Sequence, residues 1–565
     1  MFRQTFSIAA LACLIAGTTP AMADPDAGAY LAARQAGISN DFDAASRYFA
    51  QSLIGDPANI YLLENAMTTF VAMGQIERAV PVAQTLVDLG QDSQVAHLIL
   101  SVADVNAGNW DDVFAALEQG RSIGPLVDGL SQGWAHLGKG EMARAFASFD
   151  QVIETPGMTI YGLTHKAYAL ASVGDFEGAA ALLQSKPDGG MRFNRQSAIA
   201  YVQILSQLDR NADALNLMDQ VFGVQLDPSL QQLRDRLTTG EAVAYDAVRT
   251  PTQGMADLFL MIAGLLQGDA PDAFRLLYAR SAVHLAPDNT QAVLMTAELL
   301  ETLDQYALAN TVYSSVSRDD PSFHAAELGR ADVLRKAGRD DAAIEVLEAL
   351  ARSYPNLPQV FATKGDNLRY ADRYTEARDA YTRALDLYDD TNAAKWFVFY
   401  TRGITNHKMD HWPAAEADFR AALALRPDQP QVLNYLGYSL VERGEKLDEA
   451  LGMIETAAAA RPDNGAIIDS LGWVMFQIGR YDEAVGHLEQ AASLEPVDPV
   501  INDHLGDALW AVGREIEARF QWQRALSFAP EEEAATRIRD KLDRGLDLVL
   551  LDEGEEPIRI ARGND

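Results

Sequence analysis

Three stretches near the C-terminus repeat one pattern at a nearly fixed interval. Leu436-Gly437, Leu471-Gly472 and Leu505-Gly506 are each followed by an alanine (Ala450, Ala484, Ala518) and then a proline (Pro462, Pro496, Pro530). The glycines are spaced by 35 and then 34 residues, and the alanines and prolines by 34 both times. A period of about 34 residues with this pattern predicts a helix–turn–helix unit. One such unit cannot bury its own apolar face, so the units must stack into a solenoid.

The alanine is the clearest marker, because it falls where two helices cross closely and a small residue is favoured. Upstream it is met at Ala45, Ala79, Val113, Ala145, Ala179 and Ala214, and again at Ala309, Ala343, Ala377 and Ala415. Gly-polar-apolar triplets such as Gly74-Gln75-Ile76 and Gly108-Asn109-Trp110 mark the turn inside a unit. Residues 225–254 break the pattern with Asp227-Pro228, Thr238-Thr239-Gly240 and Thr250-Pro251, and read as an irregular connector. A degenerate unit follows around Met255–Pro287, and extra residues near Tyr388-Asp389 predict a longer loop. Glu531–Arg544 carries Ala535, Ile538 and Leu542 on one face, as a capping helix would, with Gly545 as its stop. The expected organisation is a signal peptide over 1–23, a repeat block over 24–224, a connector over 225–254, a second block over 255–530, a cap over 531–545 and an acidic tail over 546–565.

The N-terminus combines Arg3, an apolar run from Phe6 to Gly17 and Ala21-Met22-Ala23. That is the layout of a secretory signal peptide cleaved after Ala23, and the apolar run is too short to span a bilayer. Export to the periplasm is the expectation. Cys13 is the only cysteine, and a lipid anchor there is the alternative. Leu11 precedes it by two residues where a lipobox has three, which favours ordinary cleavage. The net charge of −34 argues against nucleic acid and anionic membrane as partners, since both need surfaces rich in Lys and Arg.

No catalytic or metal constellation emerges, and no cofactor is expected. His407 and His411 are four apart, but His411 falls at a turn, so the pair cannot share one helix face. His504, between Asp503 and Asp507, lacks a nucleophile and reads as packing or groove lining. The glycine-rich run ending in Gly138-Lys139 continues with Gly140, without the hydroxyl that would hold magnesium.

Leu433-Asn434-Tyr435-Leu436-Gly437-Tyr438-Ser439, Asp469-Ser470-Leu471-Gly472-Trp473, His504-Leu505-Gly506-Asp507-Ala508-Leu509-Trp510, Gly479-Arg480-Tyr481 and Gln521-Trp522 resemble a family of exported bacterial tetratricopeptide repeat (TPR) proteins. The likeness covers roughly 395–530 and is looser upstream. It implies an all-α, TPR-type α-solenoid, a right-handed superhelix of about fourteen units in two blocks. It also implies that the first helix of each unit lines a concave protein-binding groove. Counting the Leu-Gly pair as positions 7 and 8, inward positions 5, 9 and 12 hold Asn434, Tyr438 and Val441, then Asp469, Trp473 and Phe476, then Asp503, Asp507 and Trp510. Arg369, Tyr370 and Tyr400 are their upstream counterparts. Such a groove would suit a peptide with apolar anchors and Lys or Arg, and a Lys/Asn clamp for a C-terminal carboxylate is not indicated. Some relatives are periplasmic adaptors that bind a carboxyl-terminal processing protease and help it degrade cell-wall hydrolases. The resemblance therefore implies a non-catalytic scaffold, with an envelope-assembly factor for outer-membrane or polysaccharide-export components as the alternative.

Overall fold

The computed structural model describes residues 25–185, 193–223, 225–389 and 392–558. The expected signal peptide, Cys13 and residues 559–565 of the expected tail lie outside them. Among the described residues there are 31 α-helices and no strands. They pair in sequence as antiparallel hairpins, with six before the irregular segment, one at Pro251–Leu285 and seven from Thr290 onward.

The hairpins form where the repeat predicts them. Ala45, Ala79, Ala145, Ala309, Ala377, Ala450, Ala484 and Ala518 are all fully buried at the crossings. The facing glycine on the first helix is equally constrained: a Cβ at Gly506 would stand 2.4 Å from the ring of Trp522. Turns inside the units need a left-handed residue. Gly108 supplies it at φ 75°, while Asp372 and Asp410 take the position at 56° and 58°.

The chain divides into two compact units, residues 1–350 and 351–565. The division does not fall at 225–254, which lies wholly inside the first unit. That segment contains helix Pro228–Thr238 and then an extended strap. Side chains of helix Arg195–Gln207 hold the strap: Ser206 Oγ accepts from Val243 N (2.9 Å), Gln207 Nε2 donates to Val243 O (2.7 Å), and Gln203 exchanges hydrogen bonds with Asp246.

The strap returns the chain so that hairpin Pro251–Leu265/Asp272–Leu285 packs across the first helices Ile60–Ala72, Gln94–Ala107, Pro125–Gly138 and Thr159–Ser172. Gly254 lets the indole of buried Trp134 approach, since a Cβ there would be 2.4 Å from the ring. Arg280, 8% exposed, donates from Nε to Ala72 O at 2.9 Å. Burial pushes its guanidinium down to about 10. The degenerate unit thus fills the row of first helices in the N-terminal block, and this makes 1–350 one body.

The second unit runs through hairpins Pro358–Tyr370/Tyr374–Leu387, Lys395–Lys408/Trp412–Leu425, Pro430–Glu442/Leu447–Ala460, Gly465–Gln477/Tyr481–Leu494 and Pro499–Ala511/Glu515–Ser527. The last helices are Glu532–Arg544 and Leu546–Glu553. The second of these, within the expected tail, buries Leu546, Val549 and Leu550 and leaves Leu548 and Leu551 exposed.

Candidate protein-binding groove

All eleven candidate groove residues lie on first helices of the second unit, but they do not form one exposed strip. Tyr370 is 56% exposed, and the Arg369 guanidinium lies 4.3 Å from its ring centroid. Arg369 Nε also donates to Tyr381 Oη at 3.3 Å. Tyr400 is half-buried in an aromatic cluster, 6.1 Å from both Phe419 and Tyr435. Asn434 is half-buried, and its Oδ1 has no hydrogen-bond partner among the described residues.

Further along, the predicted groove residues pack against their neighbours. Trp473 is sandwiched between Phe476 (centroids 4.9 Å apart, planes 8° apart) and His504 (3.9 Å, 11°). Its Nε1 donates to Glu442 at 2.7 Å. His504 Nδ1 lies 3.0 Å from each oxygen of buried Asp469. Burial alone would push the imidazole down, but the charge and hydrogen bond of Asp469 outweigh it and hold His504 above its ordinary value.

The next rung is neutralised from within. Lys541, fully buried on the capping helix, donates to both oxygens of Asp503 (2.9 Å each) and of Asp507 (2.8 and 2.7 Å). Asp507 also accepts from Trp522 Nε1 at 2.8 Å and faces Arg537 at 3.5 Å. Trp510 Nε1 donates to Asp547 of the last helix at 2.9 Å. Asp469, Trp473, Phe476, Asp507 and Trp510 are therefore buried, contrary to the expectation of an open lining. Their polar groups find partners on a neighbouring helix or on the last two helices: His504 for Asp469, Glu442 for Trp473, Lys541 and Trp522 for Asp507, and Asp547 for Trp510.

What stays open is a cavity of about 710 Å³. The half-buried Tyr438 and the sides of Trp473, Phe476 and Tyr481 form its apolar wall. Glu442, Glu555 and Glu556 supply carboxylates beside the Lys541-bound Asp503, and Arg443 and Arg537 also line it. Burial, then the nearby Glu442 carboxylate, raises the Tyr438 phenol well above its ordinary range, so it stays a neutral donor. Sequence reasoning missed Glu442, Arg537, Lys541 and the 555–558 segment. The acidic-apolar run after Gly545 was the signal available for the last of these.

Among the described residues no group of three or more His, Cys, Asp or Glu is arranged to hold a metal ion, and no helix is long and apolar enough to cross a membrane. His407 lies in the last turn of one helix beside Tyr435 Oη (3.2 Å), and His411 sits at the N-cap position of the next without a side-chain capping bond.

Residues 294–358 and 401–467 match the sequence model of the tetratricopeptide repeat family. Over 160 residues the chain is 33% identical to a TPR repeat-containing protein of Pseudomonas aeruginosa, covering 28% of this chain and 26% of that protein. Over 190 residues it is 26% identical to tetratricopeptide repeat protein 13 of Homo sapiens, covering 33% of this chain and 21% of that protein. The chain thus spans about a quarter of the length of the curated relatives it matches. A solved structure, the Cut9–Hcn1 hetero-tetramer of APC/C, aligns over 93% of this chain and 97% of its own, at 14% identity and a TM-score of 0.40. The fold is a TPR-type α-solenoid. Such a fold supports a protein–protein interaction scaffold, and TPR repeat proteins are generally non-catalytic.

Proposed function

We propose that this chain is an exported, non-catalytic adaptor that holds partner proteins on the first helices of its second unit and delivers them to a carboxyl-terminal processing protease. The observation that carries the binding assignment is the 710 Å³ cavity, with Tyr438, Trp473 and Phe476 on its wall and Glu442, Glu555 and Glu556 around it. Apolar anchors with an acidic surround suit a peptide that alternates bulky apolar residues with Lys or Arg. In the first unit the first helices Ile60–Ala72, Gln94–Ala107, Pro125–Gly138 and Thr159–Ser172 are packed against the chain's own hairpin Pro251–Leu285.

Export rests on the Arg3, apolar-run and Ala21-Met22-Ala23 pattern. The protease link rests on the resemblance over 395–530. Adding the purified protein to the protease should accelerate client cleavage, and an unchanged rate would remove the protease from the account. In a deletion strain, accumulation of cell-wall hydrolases supports the adaptor. Accumulation of unassembled outer-membrane or polysaccharide-export components supports the envelope-assembly alternative instead.

A further inference from the structure

A second cavity, of about 740 Å³, opens in the first unit among helices Thr159–Ser172, Arg195–Gln207, Pro251–Leu265 and Thr290–Thr302. Its walls include Tyr161, Met261, Leu265 and Met295. At its base is Asp257, only 7% exposed. Its Oδ1 accepts from the Gln196 amide, and its Oδ2 lies 4.0 Å from His165 Nε2.

His165 cannot act as the counter-ion. It is fully buried, and its Nδ1 accepts from Trp134 Nε1 at 3.1 Å, so the ring carries its proton on Nε2. That Nε2 has no hydrogen-bond partner among the described residues. Burial pushes the imidazole down to about 3, which keeps it neutral. Arg195 also lines the cavity, but its guanidinium is held by Asp227 (2.7 Å) and Ser229 (2.6 Å). Burial pushes the Asp257 carboxyl up to about 7, and among the described residues no Lys or Arg pairs with it. A buried carboxylate without a cation is costly, and a cation reaching it through the cavity would offset that cost.

We propose that this cavity receives a Lys or Arg side chain from a protein partner, with the cationic head at Asp257 and the aliphatic stem along Tyr161, Met261 and Met295. The two methionines suit such a guest, because unbranched thioether chains adapt to the stem. Glu298 at the same cavity adds a second carboxylate, and the net charge of −34 draws basic segments toward the chain. This site is separate from the one on the second unit, so either can fail alone.

The test follows the methyl NMR signals of Met261 and Met295 in the full chain during titration with acetyl-Leu-Arg-Leu-amide or acetyl-Leu-Gln-Leu-amide. The arginine peptide should shift both methyls and the glutamine peptide neither. Asp257→Asn, which keeps the Gln196 hydrogen bond, should weaken binding by at least about thirtyfold, as expected when one member of a buried charge pair is lost. Gly264→Leu leaves Asp257 intact and fills the space beside Met295, where a Cβ would meet only its Cε at 4.0 Å; it should abolish the shifts. Equal shifts with both peptides, no shift with either, or full binding by Asp257→Asn would overturn the proposal.

Discussion

Trp473 and His504 stack face to face, with ring centroids 3.9 Å apart and planes 11° from parallel. They come from consecutive first helices of the second unit, and Asp469 holds the imidazole from its other edge. The contact turns two residues from equivalent faces of neighbouring repeats into a seam between them. It also explains why an aromatic at an inward position can be buried by the next unit instead of lining an open surface.

His504 should make the second unit pH-sensitive. Its folded-state value lies above the ordinary 6.5. The stabilisation from the His504–Asp469 pair is therefore fully present below about 6.5 and is lost as pH rises through the raised folded value. Urea unfolding of the full chain between pH 6 and 8.5 should show the unfolding transition of the second unit moving to lower urea with rising pH. His504→Gln should flatten that dependence, and an unchanged slope in the variant would assign the effect elsewhere.

Trp473→Ala and Trp510→Ala should act mainly on stability. Both indoles are buried and both N–H groups are hydrogen-bonded to carboxylates. Truncation should cost about 3–5 kcal/mol each. Tyr370→Ala, at a 56% exposed position, should cost little. Unchanged stability of either tryptophan variant would contradict the packing and hydrogen bonds assigned to these side chains.

The repeat register predicts two opposite-looking failures. Ala484→Leu enlarges a fully buried helix crossing and should cost about 1–3 kcal/mol. Gly506→Ala would gain about 1 kcal/mol from helix propensity alone. The Trp522 ring 2.4 Å from the new Cβ should reverse that sign. Thermal unfolding decides both, and a stabilised Gly506→Ala protein would contradict the assigned crossing.

Lys541 is the pin of the C-terminal cap. Lys541→Met removes the cation between Asp503 and Asp507 and leaves only Arg537, 3.5 Å from Asp507. Breaking one side of a buried pair typically costs about 3–5 kcal/mol. Hydrogen exchange should report early opening of Glu532–Arg544 and Leu546–Glu553, and unchanged protection there would show that apolar packing alone holds the cap.

The repeat was legible because Ala450, Ala484 and Ala518 recur with the period of the unit, and each sits at a crossing with the first helix of its own hairpin. The return of hairpin Pro251–Leu285 onto the N-terminal first helices was not legible. It depends on Arg280 meeting Ala72 O and Trp134 meeting Gly254, pairs far apart in the chain with no periodic signal. The closing of part of the groove by the cap was hidden for the same reason. Asp503 and Asp507 read as ligand carboxylates until Lys541, more than 30 residues on, is seen between them. Local spacing marks which residues face inward; only the fold shows whether another part of the chain already occupies that side.

The most direct test places a photo-crosslinking residue at Tyr438, on the cavity wall, or at Ile516, 85% exposed on a second helix. Each tagged full chain is irradiated in cells and its adducts are identified by mass spectrometry. A scaffold that binds through this groove should give a defined protein adduct from Tyr438 and none from Ile516. Adducts of equal yield from both positions, or none from Tyr438, would contradict the assignment of the second unit's first helices as the binding face.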